Sequence, residues 1–247
     1  MTSLLWMAAP YVAFTSFVLG HIWRYRTDQF GWTTRSSQIY ESRLLQLGSP
    51  LFHFGLLGVF GGHVVGLLVP QSWTAAVGIS EPAYHLMAVT MGSLAGFAVV
   101  AGLGILLYRR ITVSAVRRAT TRSDQLMYLL LVAALATGML NTLTNVFASY
   151  NYRDTVSPWF RSLFSLHPAA ELMAHTPWTF QLHALIVLAL LAIWPYTRLV
   201  HMFSAPVGYL VRPYLVYRSQ DPKKTSGNRY AKAWVAPEAP PARSRWV

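Results

Sequence analysis

Five stretches of this chain run for about twenty residues with almost no charge, the length a helix needs to cross roughly 30 Å of hydrocarbon. They cover residues 4–23, 49–70, 84–108, 125–149 and 180–200. Hydrocarbon offers no water to bond a free backbone N–H or C=O, so runs of this length read as helices. The expected fold is an all-α integral membrane protein, a bundle of five transmembrane helices. Composition agrees: 54% of the 247 residues are hydrophobic and 11% charged, where a soluble domain carries about a quarter. Trp6, Trp23, Trp178 and Trp194 fall near span ends, at the depth aromatic rings favour. The N-terminus lacks the basic segment of a secretory signal and reads as a retained first span.

The formal charge of +12 first suggests nucleic acid, but its distribution argues for a membrane. Arg24, Arg26, Arg35 and Arg43 follow span one, and Arg109, Arg110, Arg117, Arg118 and Arg122 follow span three. Nine more basic residues lie from Arg198 onward. An N-terminus outside and a C-terminus in the cytoplasm leave only Arg153 and Arg161, of 20 basic residues, on the outer side. That is the positive-inside pattern, with anionic lipid as the partner and no role for nucleic acid. Residues 150–176, with Trp159, Phe160, Leu163 and Phe164, are expected to form a short interfacial helix outside. The membrane domain is expected over 1–218, and 219–247 read as a polar, Pro-rich cytoplasmic tail.

Polar groups at membrane depth are costly and usually functional. Span two holds His53 and His63; span five holds His183 and His201. The spans run in opposite directions, so His53 shares a cytoplasmic depth with His201, and His63 an outer depth with His183. The separations of ten and eighteen residues correspond to about 15 and 27 Å on ideal helices, a mismatch that tilt and side-chain reach must absorb. Two histidine pairs at two heights suit two b haems, each iron six-coordinate and fit for electron transfer. The chain has no cysteine, which excludes disulfides, cysteine-ligated clusters and covalent haem attachment. A tetrahedral zinc site would require ligands closer together than these pairs.

Gly58, Gly62 and Gly66 form a double G-x-x-x-G, read first as a helix-packing stripe. The alternative is that the missing side chains, at Gly62 above all, admit a porphyrin edge or quinone ring; Gly92 and Gly96 allow the same two readings. Arg118, Arg198 and Arg212 are candidates to pair with haem propionates, or serve only as topology signals. His85 is a candidate proton acceptor, while His21, His167 and His175 read as packing or surface residues.

Several strings resemble the gamma (cytochrome b) subunit of respiratory nitrate reductase. They are Leu51-Phe52-His53 with Gly61-Gly62-His63, Gln181-Leu182-His183, and Arg198-Leu199-Val200-His201 followed by Pro206. Arg24-Tyr25, Ser36-Ser37-Gln38, Arg117 to Thr121, and Tyr209-Leu210 with Arg212 extend the likeness over residues 9–218. The resemblance implies a multi-pass subunit of the bacterial cytoplasmic membrane with two b haems, His53 and His201 on the inner and His63 and His183 on the outer. It further implies quinol (menaquinol or ubiquinol) oxidation beside the outer haem. Partners would be an iron–sulfur beta subunit and a molybdenum alpha subunit on the cytoplasmic side. Where some members carry a lysine at the quinol pocket, this chain has Tyr84-His85. Rival readings are a dihaem anchor for a heterodisulfide- or sulfite-reductase-like complex, and a histidine-relay channel or transporter. The lack of acidic residues in the spans disfavours the last.

Overall fold

The computed structural model describes residues 2–147, 150–204 and 211. All its regular elements are helical, and five helices are long and apolar enough to cross a membrane. They are α1 (Thr2–Thr27), α2 (Arg43–Leu68), α3 (Glu81–Thr112), α4 (Arg122–Thr144) and α5 (Trp178–Ile193), the last reaching crossing length only with the turn that continues it to Tyr196. Only 11–22% of each apolar window is buried within the protein. The outward faces carry Leu4, Phe54, Leu94 and Leu129, so hydrocarbon is the solvent they suit.

Local chemistry sets the helix ends. Ser80 caps α3 by accepting from the Ala83 N–H, and Glu81 begins that helix while Arg109 and Arg110 end it, matching its dipole. α4 opens on a capping box in which the Thr121 side chain takes the Asp124 N–H and the Asp124 carboxylate takes the Thr121 N–H. α2 packs along α3, α4 against α5 and α3, and α5 also against α1. The α2–α3 seam depends on absent side chains: a methyl added at Gly102 would lie 2.7 Å from Phe52 Cα, and one at Gly55 would lie 2.9 Å from the Val99 nitrogen.

Three features differ from the sequence reading. The expected stripe of Gly58, Gly62 and Gly66 is not one packing surface: Gly58 approaches Ala95 of α3, Gly66 the Tyr152 ring, and Gly62 has nothing within 4 Å of a Cβ position. The 150–176 link is more than one interfacial helix. It forms two short helices, Val156–Ser162 and Ala170–Ala174, that bury Trp159 and Met173 against Trp6 of α1. The fifth span, finally, is not continuous to residue 200. α5 ends at Ile193, a 3₁₀ turn follows at Trp194–Tyr196, Thr197 is extended, and a second 3₁₀ segment runs over Arg198–Ser204. Pro195 lacks the N–H that an α-helix needs there, and its ring obstructs the preceding turn. The proposed boundary at 218/219 and the tail lie outside the described residues.

Candidate haem-binding histidine pairs

Four histidines from two different packed helix pairs meet across the bundle. The His53 and His201 ring centroids are 6.1 Å apart with planes at 73°, and those of His63 and His183 are 6.1 Å apart at 31°. The first pair lies toward the end that carries Asp124 and Arg198, the second toward the end that carries Glu81 and Arg153. The 15 and 27 Å expected from ideal helices therefore never had to be reconciled by tilt. The break after α5 redirects the chain and delivers His201 from a separate segment.

Each ring presents one free nitrogen. His53 Nδ1 donates to the Ser49 carbonyl (2.7 Å), His63 Nδ1 to that of Val59 (2.8 Å), and His201 Nδ1 to that of Arg198 (2.6 Å). A carbonyl only accepts, so Nδ1 bears the proton and Nε2 keeps its lone pair. His183 reaches the same state by another route: its Nδ1 is 3.0 Å from Thr137 Oγ1. That hydroxyl has its own proton directed at the Ala133 carbonyl, 2.8 Å away, so it accepts from His183. Tethering of this kind is how proteins orient metal-binding imidazoles.

The spacing fits a metal between the rings. Two imidazoles bonded to one ion at about 2.0 Å, with roughly 1.1 Å from nitrogen to ring centre, have centroids about 6.2 Å apart. No cluster of three or more metal-ligating side chains occurs among the described residues. A bare ion held by two histidines would be under-coordinated, whereas a flat macrocycle brings four equatorial nitrogens of its own. The donor set and geometry thus suit haem.

Residues with no ligand signature build the supports. The broken end of α5 frees backbone carbonyls inside the bundle, and each needs a donor. Arg24, buried in α1, gives NH1 to Pro195 O (2.7 Å) and Thr197 O (2.8 Å), and NH2 to Gly31 O (2.8 Å). Ser16 takes Ala192 O, Ser123 takes Tyr196 O and the Trp194 indole takes Leu199 O. Arg198 forks onto the fully buried Asp124 (2.8 and 2.6 Å), and its own carbonyl holds His201. Burial works against the Arg198 charge, yet the bonds to Asp124 outweigh it and raise its pKa. Beside the other pair, Gly138 leaves room for His183, since a methyl there would lie 3.1 Å from Cε1. Arg198 was legible as a propionate candidate and Arg24 as a topology signal, neither as a support of the fifth span, and Thr137 and Gly138 only as small residues of an apolar span.

The remaining candidates are distributed as follows. Arg118 is exposed beside Tyr40, Ala115 and Ala119. Gly62 faces open space one residue before His63, and Arg212 lies outside the described residues. Tyr84 is buried beneath the Arg153 guanidinium, 3.9 Å from its ring centre, with its hydroxyl 3.3 Å from that of Tyr152. Burial, and then the bond to Tyr84, push the Tyr152 hydroxyl pKa up, so it stays protonated. His85 is half-buried next to this network, and His167 and His175 are exposed. His21 packs among Phe17, Trp32 and Phe203. The end of α2 beyond His63 is closed by donors on the 150–176 segment: Ser157 to Gly66 O, Arg161 to Leu67 O and Arg153 to Val69 O.

Comparison with known proteins identifies the family. The model of the family described as nitrate reductase gamma subunit matches residues 2–220. The chain is 46% identical to the nitrate reductase gamma chain of Bacillus subtilis over 218 residues, covering 88% of this chain and 98% of that one. It is 33% identical to the respiratory nitrate reductase 2 gamma chain of Escherichia coli, covering 85% and 94% respectively. It is 56% identical over 224 residues to the nitrate reductase-like protein NarX of Mycobacterium tuberculosis, covering 90% of this chain but spanning only 34% of that longer protein. Matched along nearly its whole length, the chain belongs to the nitrate reductase gamma subunit family.

Proposed function

We propose that this chain is the quinol-oxidising subunit of a membrane-bound nitrate reductase complex, with haem b between His53 and His201 and between His63 and His183. One observation carries the reading: two histidine pairs at two heights, each with centroids 6.1 Å apart and Nδ1 already engaged. Haem held by these pairs would supply one-electron transfer. The chain fixes the rings through their Nδ1 bonds. Its basic residues among those described, all but Arg153 and Arg161 at one end, orient that end to the cytoplasm of a bacterial cell. His63 and His183 then lie toward the outer face, and His53 and His201 toward the inner.

Quinol docks by the outer pair, near the start of α3, where the glycine at 62 leaves space for a flat ring. His85 takes a hydroxyl proton there, with Tyr84, Tyr152 and Arg153 as the rigid wall behind it. Protons leave outward while electrons pass inward to iron–sulfur and molybdenum partner subunits, where nitrate is reduced. Each charge moved inward does work against the potential of about 2.3 kcal/mol per 100 mV. Arg118 and Arg212 are the arginines proposed for propionates; Arg198, held by Asp124, serves His201 instead.

Iron and pyridine-haemochrome assays of the purified chain test this. Two haems per chain are expected, with His53→Ala and His63→Ala each removing one. A chain without haem, or variants that keep both, overturns the reading.

A further inference from the structure

The four imidazoles are not tethered alike. His53, His63 and His201 each donate Nδ1–H to a main-chain carbonyl three or four residues back on their own segment. Those acceptors move with the ligand and no substitution removes them. His183 donates instead to Thr137 Oγ1, on a different helix and 46 positions away in sequence. The hydroxyl is held in place, because its proton is directed at Ala133 O (2.8 Å), with Ala134 O at 3.2 Å. Its lone pair is thereby turned toward the histidine. Gly138, the next residue, lets the ring come this close.

We infer that Thr137 is a positioning residue that sets the electron affinity of the site formed by His63 and His183. The inference rests on the two-haem reading. A hydrogen bond accepted from Nδ1–H raises the basicity of the opposite nitrogen, and a more basic ligand favours the oxidised, more positive iron. An alcohol is a weaker acceptor than a peptide carbonyl, so an imidazole that gives its proton to Thr137 is less electron-donating than one held by a carbonyl alone. The His63–His183 site is therefore poised at a higher potential than an all-carbonyl pair would be, and the poise depends on the packing of α4 against α5. Three ligands are thus held by their own backbone, and the fourth reports on a helix contact.

The test is a redox titration of the full-length, haem-loaded chain, followed by absorbance, for wild type, Thr137→Val, Thr137→Ala and Thr137→Ser. Valine keeps the shape and deletes the acceptor; alanine deletes it without the branched bulk; serine keeps it. In the valine and alanine variants one of the two midpoints is expected to rise, changing its reduced-to-oxidised ratio at fixed potential by up to about tenfold, or about 59 mV for a one-electron couple. The other midpoint stays put, and serine matches wild type. Unchanged midpoints overturn the inference, as would result if the Ala134 carbonyl, which also lies within hydrogen-bonding reach of the His183 ring, held it without Thr137. So do a shift in both midpoints or a serine variant that behaves like valine, either of which marks a packing effect. Wild-type protein lacking two haems defeats the functional reading instead, so the two failures are separable.

Discussion

Arg24 shows how much a single side chain can hold at the edge of a bilayer. It is 5% exposed, and its guanidinium bridges two carbonyls of the broken fifth span and one of the loop after α1. A charge so placed persists because it is the donor those carbonyls would otherwise lack and because the Asp28 carboxylate lies 3.7 Å away. Arg24→Met keeps the bulk and orphans all three acceptors, so the segment that carries His201 should loosen. The expected result is a loss of about 2–4 kcal/mol in stability and selective loss of haem from the His53–His201 pair. Denaturant unfolding in detergent and a haem count check it; retention of both haems would show that the break holds itself. The same logic separates Arg198 from the other arginines, since its fork onto Asp124 fixes the residue whose carbonyl orients His201.

The elements divide into rigid pairs and a tethered linker. α2 and α3 are joined by a close seam at Gly55 and Gly102, and α5 rests on α4 and α1, so the histidines of a pair come from separately packed units. The stretch between α1 and α2 is fastened to the end of α3 by Arg109, which bonds Ser37 and the Glu41 carboxylate and carbonyl. Burial pushes the Glu41 carboxyl up, but the Leu44 N–H and Arg109 more than offset it and hold its pKa below the usual glutamate range. A carboxyl lowered on folding contributes stability above its unfolded pKa, and that contribution fades as pH falls through the folded value. Glu41→Gln is therefore expected to melt lower than wild type at neutral pH, with the gap closing below about pH 4. A gap independent of pH would mean that shape, not charge, secures the linker.

On the scale of the whole molecule the asymmetry of charge decides how the bundle sits. The end with Arg109, Arg118 and Arg198 should face the cytoplasm, and the cap formed by residues 150–176 the outside. The chain has no cysteine, so single cysteines introduced at Ser165 and Arg117, both exposed, can be labelled cleanly in intact cells. An impermeant maleimide should modify the first and spare the second. The reverse pattern would invert the direction of electron flow proposed here, since His63 and His183 would then face the cytoplasm.

Five crossing helices, and which histidine would lie beside which, were legible in residue order alone. Each follows from a local rule: apolar length sets a crossing helix, and an imidazole in hydrocarbon demands a partner. Residues 53 and 201, and 63 and 183, were paired by direction of travel, which needs only alternate crossings. The means by which the rings meet was not legible. The fifth span was read straight through Pro195, and where the chain goes after the break there depends on donors from elsewhere, here Arg24, Ser16 and Ser123. The glycine stripe at 58, 62 and 66 looked uniform in sequence and splits three ways in space, because one periodicity does not say what lies opposite each turn. Thr137 carried no signal, since its role exists only when α4 lies against α5. Hydrophobic length and chemical type are properties of the chain; which lone pair faces which proton is a property of packing, and only the folded bundle decides it.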